Sequence, residues 1–211
     1  MWVVKLGGSL HDVPDLRAWL AWLAQRHGSS VLVPGGGPFA DAVRALQPGL
    51  GYDDHAAHGM AILAMQQYAL HLHGLEPRLR LGESEAELRA GGPCLWLPWR
   101  LAGRAAELPA SWDLTSDSVA LWLATRLAAP QLVLVKAGRV PAGPCTAAEL
   151  AATGLIDPAF PALAARYAGA IHVVRHDRLP LDLGHACQVL PASSTSSASA
   201  SAAATTSWAV R

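Results

Sequence analysis

Trp2-Val3-Val4-Lys5-Leu6-Gly7-Gly8-Ser9 is an apolar run that ends at two glycines. Such a run predicts a buried strand, and the glycines predict a tight turn after it. Lys5 lies inside the run, and a buried lysine is costly unless it has a partner. A helix is predicted over residues 15–27, because the apolar side chains there recur at helical spacing and Gly28 follows as a stop.

The same order of elements recurs once along the chain. Val31-Leu32-Val33 predicts a second strand, and Pro34 and Gly35-Gly36-Gly37 end it. A helix is predicted over residues 38–46, with Pro38 suited to its first turn. Strand, glycine turn and helix in repeated order are typical of parallel strands with crossover helices. The predicted fold class is therefore α/β: a three-layer α/β/α sandwich with a mainly parallel sheet.

The remaining segments fit this architecture. Residues 131–135 are a continuous apolar run of the kind that is buried in a parallel sheet, and residues 171–174 predict a last core strand. The other predicted elements are helices over residues 54–73, 116–128, 147–152 and 159–167, and weak strands over residues 78–81 and 94–97.

Composition divides the chain near residue 190. Residues 1–190 are predicted to form the folded domain. Residues 191–211 are rich in Ser and Ala and are predicted to be a disordered tail, because they offer little apolar surface to bury.

Charge and cysteine content narrow the function classes. Lys plus Arg equals Asp plus Glu at 16 each, so the basic excess of a nucleic-acid binder is missing. Apolar stretches stay short of the ~20 residues of a membrane span, and no signal-peptide pattern opens the chain. Cys94, Cys145 and Cys187 lie too far apart for a CxxC pair, which argues against a disulfide framework or a thiolate zinc site. We expect a cytoplasmic protein with neither a nucleic-acid nor a membrane partner.

The two glycine turns predict a site for anionic groups. Ligands of open α/β sheets bind beyond the carboxyl ends of the strands, and glycines there bring backbone N–H groups close to anionic oxygens. Each turn alone is also explained as a purely structural strand–helix turn. The P-loop pattern and GxGxxG are both absent, which disfavours P-loop and Rossmann dehydrogenase proteins.

Three further charged residues are candidates for the same edge of the sheet. Asp117 lies in the first turn of a predicted helix, where it either stabilises the helix dipole or orients a lysine or a magnesium ion. Asp113 precedes it by four residues and is expected to approach the same pocket. Lys136 ends a predicted strand, and it is either a solvated lysine or a contact to nucleotide phosphates.

Together these residues resemble the amino acid kinase superfamily. Val4 to Ser9 is similar to its opening motif, Val33 to Gly37 to its second glycine turn, and Thr115 to Ala120 to its central Asp motif. The resemblance implies an amino acid kinase (carbamate kinase-like) fold and transfer of phosphate from ATP, with Mg²⁺, to a small acceptor. It covers roughly residues 2–175.

The resemblance also implies roles for single residues. Catalytic roles fall on Lys5 and Asp117. Asp113 and His58 are further candidates for substrate contacts, which rest on their positions in the sequence and not on the resemblance. Gly7, Gly8, Ser9 and Lys136 are the nucleotide-side residues. The acceptor-side glycines are Gly35, Gly36 and Gly37. No protein metal ligands are expected. His55 and His58 are spaced as two metal ligands could be, but apart from the adjacent Asp54 no Cys or carboxylate at matching spacing completes a site.

The pattern departs from the family on the nucleotide side. Lys136-Ala137-Gly138-Arg139-Val140 replaces the usual Asp-Gly loop, and a later glycine loop with a second lysine is missing. The short form resembles the branch that phosphorylates (aminomethyl)furan-methanol phosphate to a diphosphate in methanofuran biosynthesis. Two alternatives remain: a kinase of UMP or an acyl amino acid, and a non-catalytic nucleotide-binding subunit. The family commonly pairs subunits, so a homo-oligomer is expected, with the exposed face of helix 54–73 as the contact.

Overall fold

A sheet of eight strands with helices on both faces forms the protein. The structure, a computed structural model, describes residues 1–191. The strands are β1 (Trp2–Leu6), β2 (Ser30–Pro34), β3 (Arg80–Gly82), β4 (Pro93–Trp96), β5 (Gln131–Lys136), β6 (Cys145–Thr146), β7 (Ala170–Arg175) and β8 (Cys187–Leu190). The helices are α1 (Leu16–Gln25), α2 (Gly37–Leu50), α3 (Asp54–Leu75), α4 (Glu85–Arg89), α5 (Trp99–Ala102), α6 (Ser116–Arg126), α7 (Ala147–Ala152) and α8 (Phe160–Ala164).

The sheet is mainly parallel and has the order β3-β4-β2-β1-β5-β7-β8-β6. Strand β8 runs antiparallel to β7, and the other neighbouring strands are parallel. The predicted three-layer α/β fold is therefore confirmed. Strand β1 lies between β2 and β5, so its carboxyl end meets theirs at one edge.

Alternation along β1 divides its side chains between two hydrophobic clusters. Val3 packs in the cluster that contains α6, whereas Val4 and Leu6 pack in the cluster that contains α1. Successive side chains of a strand point to opposite faces, so Lys5 lies on the α6 face with Val3. This face is where the functional residues collect.

Several predicted boundaries were wrong. Helix α2 does not end near residue 46 but runs to Leu50, with Pro48 inside it and the left-handed Gly51 as its C-cap. A proline near the end of a helix is tolerated when its lost hydrogen bond is offset by packing and capping contacts. Other bounds, as at β3 and α1, differ from the predicted ones by one to three residues, because the sequence signal at the ends of elements is weak. Elements missing from the prediction are α4, α5, β6 and β8.

The predicted tail, residues 191–211, lies outside the described residues apart from Pro191, and the division at residue 190 stays a prediction. Among the helices of residues 1–191, none combines the length and the apolarity needed to span a membrane.

Candidate active site

Two lysines meet on the α6 face at the carboxyl edge of the sheet. In the register of β1 and β5, Lys5 lies opposite Leu134, and Lys136 comes two residues later on the same face of β5. Both side chains are buried, with exposed fractions of 4% for Lys5 and 9% for Lys136. The alternation of two adjacent strands thus brings two cations to one point of the core.

Asp117 lies between these cations. It is in the first turn of α6 and only 3% exposed. Its Oδ1 lies 2.8 Å from Lys5 Nζ, and its Oδ2 accepts a hydrogen bond from Lys136 Nζ. A buried charge is tolerated when it is paired, and here one carboxylate serves two ammonium groups. The predicted role of Asp117 as the residue that orients the lysines has its geometric basis in these contacts.

Both lysines of the sequence belong to this ion cluster. Lys5 and Lys136 are the only lysines among 211 residues, and the other basic side chains are arginines or histidines. The contact of Lys136 to nucleotide phosphates stays a prediction, but Lys136 is not the solvated lysine that was the other alternative from the sequence. It is instead part of the buried ion cluster, which therefore carries one more positive than negative charge.

Burial and neighbouring charges perturb the pKa values of the cluster. Burial alone raises the pKa of Asp117, but the charges of Lys5 and Lys136 outweigh it, so the net pKa of Asp117 lies below its usual value. Burial and repulsion by Lys5 lower the pKa of Lys136 to about 8, against partial opposition from Asp117. Lys136 is therefore mostly charged at neutral pH and close to its own titration range.

The two glycine turns touch each other next to the lysines. A Cβ added to Gly35 would lie 2.1 Å from Gly8 N, and one added to Gly8 would lie 2.3 Å from Gly37 N, so no side chain fits at either position. Gly37 also has φ +56°, in the region that favours glycine. Within residues 1–191, the backbone N–H groups of Gly8, Ser9, Gly36 and Gly37 donate to no acceptor. These donors remain available for anionic oxygens.

A cleft of about 410 Å³ opens above the lysines and the glycine turns. Its apolar wall comes from α3 and contains Ala61, Ile62 and Met65. Asp41 and Arg44, both on α2, also line the cleft and are charged. The lining of the cleft thus combines the two lysines with apolar residues of α3 and charged residues of α2.

Arg44 lies on a polar chain of contacts. Its guanidinium carbon lies 4.4 Å from the centre of the Trp112 ring, and Trp112 Nε1 donates to Gln47 Oε1 at 2.6 Å. Gln47 Nε2 donates in turn to Asp54 Oδ1 at 2.9 Å. Among residues 1–191 no carboxylate forms an ion pair with Arg44. A stacked guanidinium keeps its N–H edge available for an oxyanion.

The structure brings most of the predicted site residues together. Lys5, Asp117 and Lys136 form the floor, and Gly8, Ser9, Gly36 and Gly37 line the cleft. Gly7 and Gly35 support the turns without lining it: a Cβ on Gly7 would lie 3.4 Å from Lys5 Nζ, and Gly35 packs on Gly8.

Asp113 does not join the other predicted residues. Its side chain is exposed and does not line the cleft, and its carbonyl accepts a hydrogen bond from Ala159 N at 3.0 Å. The structure therefore places Asp113 apart from the cleft, because the chain turns between Asp113 and the start of α6, and its contact with substrate stays a prediction.

His58 lines the cleft, and its contact with substrate stays a prediction. Its Nε2 is buried and, within residues 1–191, has no hydrogen-bond partner. Burial, together with the nearby charge of His55, lowers the pKa of His58, so the ring is neutral at neutral pH. A neutral imidazole offers one donor and one acceptor nitrogen to a ligand.

A second cleft, of about 470 Å³, lies at the ends of β5 and β7. Sequence reasoning did not identify it. Its lining includes Arg139, Arg175 and Arg178, of which Arg175 pairs with Asp177 at 2.5 Å. Arginines after two neighbouring strand ends are the signal that could have indicated it.

The side chains of the first cleft do not form a magnesium site of their own. Within residues 1–191 no three His, Cys, Asp or Glu side chains are grouped so that they could hold a metal ion. Both oxygens of Asp117 already face lysines.

Solved structures share this sheet and its helices. The uridylate kinase of Archaeoglobus fulgidus gives a TM-score of 0.61 at 16% identity and covers 82% of this chain and 90% of its own. The aspartate kinase of Synechocystis gives a TM-score of 0.62 at 16% identity and covers 91% of this chain and 40% of its own. The chain has the amino acid kinase fold. The UMP kinase of Bacillus anthracis has it too, with a TM-score of 0.61 at 15% identity over 85% of this chain and 88% of its own.

A curated relative adds similarity in sequence to the shared amino acid kinase fold. The (5-(aminomethyl)furan-3-yl)methyl phosphate kinase of Methanocaldococcus jannaschii is 28% identical over 140 residues. The match covers 64% of this chain and 64% of the relative, so it spans less than two thirds of the relative's length. No protein-family model matches the sequence. The superfamily resemblance drawn from the motifs is confirmed by the relative and by the solved structures.

Proposed function

We propose that this chain transfers the γ-phosphoryl group of ATP to the phosphate of a small monoester, with (aminomethyl)furan-methanol phosphate as the first acceptor to test. The observation that carries the proposal is the pair of buried ammonium groups of Lys5 and Lys136, held by Asp117 beneath the two glycine turns. Phosphoryl transfer needs positioning and positive charge more than covalent help from the protein.

In the proposed reaction, an oxygen of the acceptor phosphate attacks the γ-phosphorus of ATP. The bond between that phosphorus and the β,γ-bridging oxygen breaks, ADP leaves, and the acceptor becomes a diphosphate. The attacking oxygen is already ionised, so no general base is required. Lys5 and Lys136 stabilise the charge that develops on the transferred group, and the free N–H groups of Gly8 and Gly37 bind its oxygens.

The walls of the cleft support an acceptor with a flat apolar body. Ile62 and Met65 offer apolar contact, and Arg44 offers an N–H fork to a phosphate oxygen. Asp41 lines the cleft without an ion pair among residues 1–191, so it is available to an ammonium group. The aminomethylfuran acceptor carries a ring, a phosphate and an ammonium group, whereas UMP has no cation for Asp41.

The arginine-rich second cleft supports a nucleotide site. It follows β5 and β7, on the side of Lys136 that faces away from the acceptor-side glycines. Arg139 and Arg178 have no carboxylate partner among residues 1–191 and would bind polyphosphate oxygens of Mg-ATP, which enters as substrate. These groups would take the place of the family loops that the sequence lacks.

A homo-oligomer in the cytoplasm is the setting we propose for this activity. Large apolar side chains are exposed on α2, at Leu46 and Leu50, and on α3, at Leu63 and Leu70. We expect these side chains to contribute to a contact with another protein surface. Sedimentation of the purified chain would test the assembly, and a monomer at all concentrations would contradict it.

The test of function is a phosphoryl-transfer assay with purified protein, ATP and Mg²⁺. Acceptors would be the aminomethylfuran phosphate, UMP and N-acetylglutamate, with ³¹P NMR to identify the diphosphate or acyl phosphate product. We expect turnover with the furan phosphate and its loss in Asp117→Asn, while Asp113→Asn, which lies outside the cleft, keeps it. ATP binding without turnover on any acceptor would favour a non-catalytic subunit and refute the proposal.

A further inference from the structure

Asp157 is a buried carboxylate with an unusual number of partners. It lies between α7 and α8 and is only 6% exposed. Its Oδ2 accepts hydrogen bonds from Thr115 N at 3.0 Å, Thr115 Oγ1 at 2.9 Å and Ser118 N at 2.9 Å. Its Oδ1 accepts from Ser118 Oγ at 2.5 Å and Phe160 N at 3.0 Å.

These contacts replace the ordinary cap of α6. Thr115 is the N-cap residue, yet its side chain accepts no capping hydrogen bond. Its hydroxyl group instead donates a hydrogen bond to Asp157. Ser118 is the third residue of α6. Its backbone N–H normally donates a hydrogen bond to the side-chain oxygen of the N-cap residue. The cap is therefore supplied from a loop that is distant in sequence.

Asp117 lies between the two residues that Asp157 holds. We infer that Asp157 is a positioning residue: its carboxylate fixes the first turn of α6 and thereby holds Asp117 between Lys5 and Lys136. This inference rests on the proposed phosphoryl transfer for its kinetic readout. Asp157 contacts neither lysine, so it acts on the reaction through Asp117 and through its charge, which raises the pKa of Lys136.

The charge of Asp157 gives the inference a second readout. The groups that act on Lys136 are Lys5 from β1, Asp117 from α6 and Asp157 from the α7–α8 segment. Burial and Lys5 lower the pKa of Lys136, whereas the two carboxylates raise it. Removing the charge of Asp157 should therefore lower the pKa of Lys136 below about 8, an effect that loss of a merely structural cap would not produce.

The experiment compares Asp157→Asn with Glu149→Gln, which removes the charge of another capping carboxylate, that of α7, away from the cleft. Circular dichroism would establish folding. We expect Asp157→Asn to lower kcat about 10- to 100-fold, because small displacements of catalytic groups have effects of that size. The KM values should change much less, the alkaline limb of kcat/KM should move to lower pH, and Asp157→Glu should recover part of kcat. Glu149→Gln should change none of these quantities.

A folded Asp157→Asn with unchanged kcat and an unchanged alkaline limb would overturn the inference. If this variant does not fold, Ser118→Ala removes a single hydrogen bond to Asp157 and leaves its charge in place. It should lower kcat several-fold, and an unchanged kcat would equally overturn the inference.

The inference can also fail or succeed separately from the proposed function. If the wild-type chain phosphorylates no acceptor, the ¹³Cε signal of Lys136 can still be followed against pH by NMR. A lower titration midpoint in Asp157→Asn than in the wild type would support the inference, and equal midpoints would refute it.

Discussion

Raising the pH should inactivate the protein through Lys136. Burial and the neighbouring Lys5 lower its pKa from the ordinary 10.5 to about 8, which corresponds to about 3 kcal/mol against the charged form. The charged fraction then falls roughly tenfold between pH 7 and pH 9. If the ammonium group stabilises the transferred phosphoryl group, kcat/KM for ATP should fall by the same factor, because kcat/KM reports the free enzyme.

The stability of the fold, in contrast to the activity, should increase as the pH rises. The unfolded chain binds more protons at Lys136 than the folded chain between pH 8 and 10.5, so this residue makes the free energy of unfolding rise with pH there. Its share is up to about 3 kcal/mol. The difference in the free energy of unfolding between wild type and Lys136→Met isolates the contribution of the lysine.

The direct assay is NMR of the chain labelled with ¹³C-lysine. With two lysines in the sequence, only two ¹³Cε signals are expected, and Lys136→Met assigns them. A titration of Lys136 near pH 8, together with an alkaline fall of kcat/KM near the same pH, is the expected result. A Lys136 signal that titrates near its ordinary 10.5 would refute the reasoning, since the ion cluster would then not be buried as described.

Three further predictions concern the floor, the turns and the wall of the cleft. Lys5→Met should lower kcat by at least about 100-fold with unchanged circular dichroism, because one of two charge-stabilising groups is lost; a kcat within threefold of wild type would contradict its role. Gly8→Ala should lower the free energy of unfolding by about 1–3 kcal/mol in urea titrations, because its Cβ meets backbone at 2.3 Å. Gly49→Ala, with open space around the new Cβ, is the control and should not destabilise; equal effects would show that the contact is unimportant. Arg44→Ala should raise KM for a phosphorylated acceptor about tenfold or more, because a charge-assisted hydrogen bond is lost. Arg104→Ala, exposed elsewhere, should leave KM unchanged, and an unaltered KM in both variants would exclude Arg44 from acceptor binding.

The central strands were predictable because their signal is local and redundant. The apolar runs of β1, β2 and β5 have the length and composition of buried parallel strands, and the glycines of the first two turns mark where they end. Elements at the margins gave weaker signals. Strand β6 has two residues and β8 alternates buried and exposed positions, so their pairing depends on tertiary contacts rather than on a pattern.

The site was predictable only in part, because several of its contacts also depend on tertiary structure and not on a local sequence pattern. Lys5 and Asp117 stood out because a charge in or beside a buried segment needs a partner. Lys136 was identified, but its partner was not, since only the register of β1 and β5 shows that it faces Lys5. Asp157 gave no local signal at all, because its hydrogen bonds reach α6 from a distant loop.

The central position of β1 has a consequence for how the protein is made. Lys5 is synthesised well before β5, the strand that completes the pairing of β1 and carries Lys136. Until then one edge of β1 has no hydrogen-bonding partner and its charged side chain has no counterion. Contacts between segments this distant in sequence fold slowly and leave strand edges exposed to aggregation. The nascent chain is therefore expected to depend on protection of its first strand, by a chaperone or by transient pairing with β2, until most of the domain has been translated.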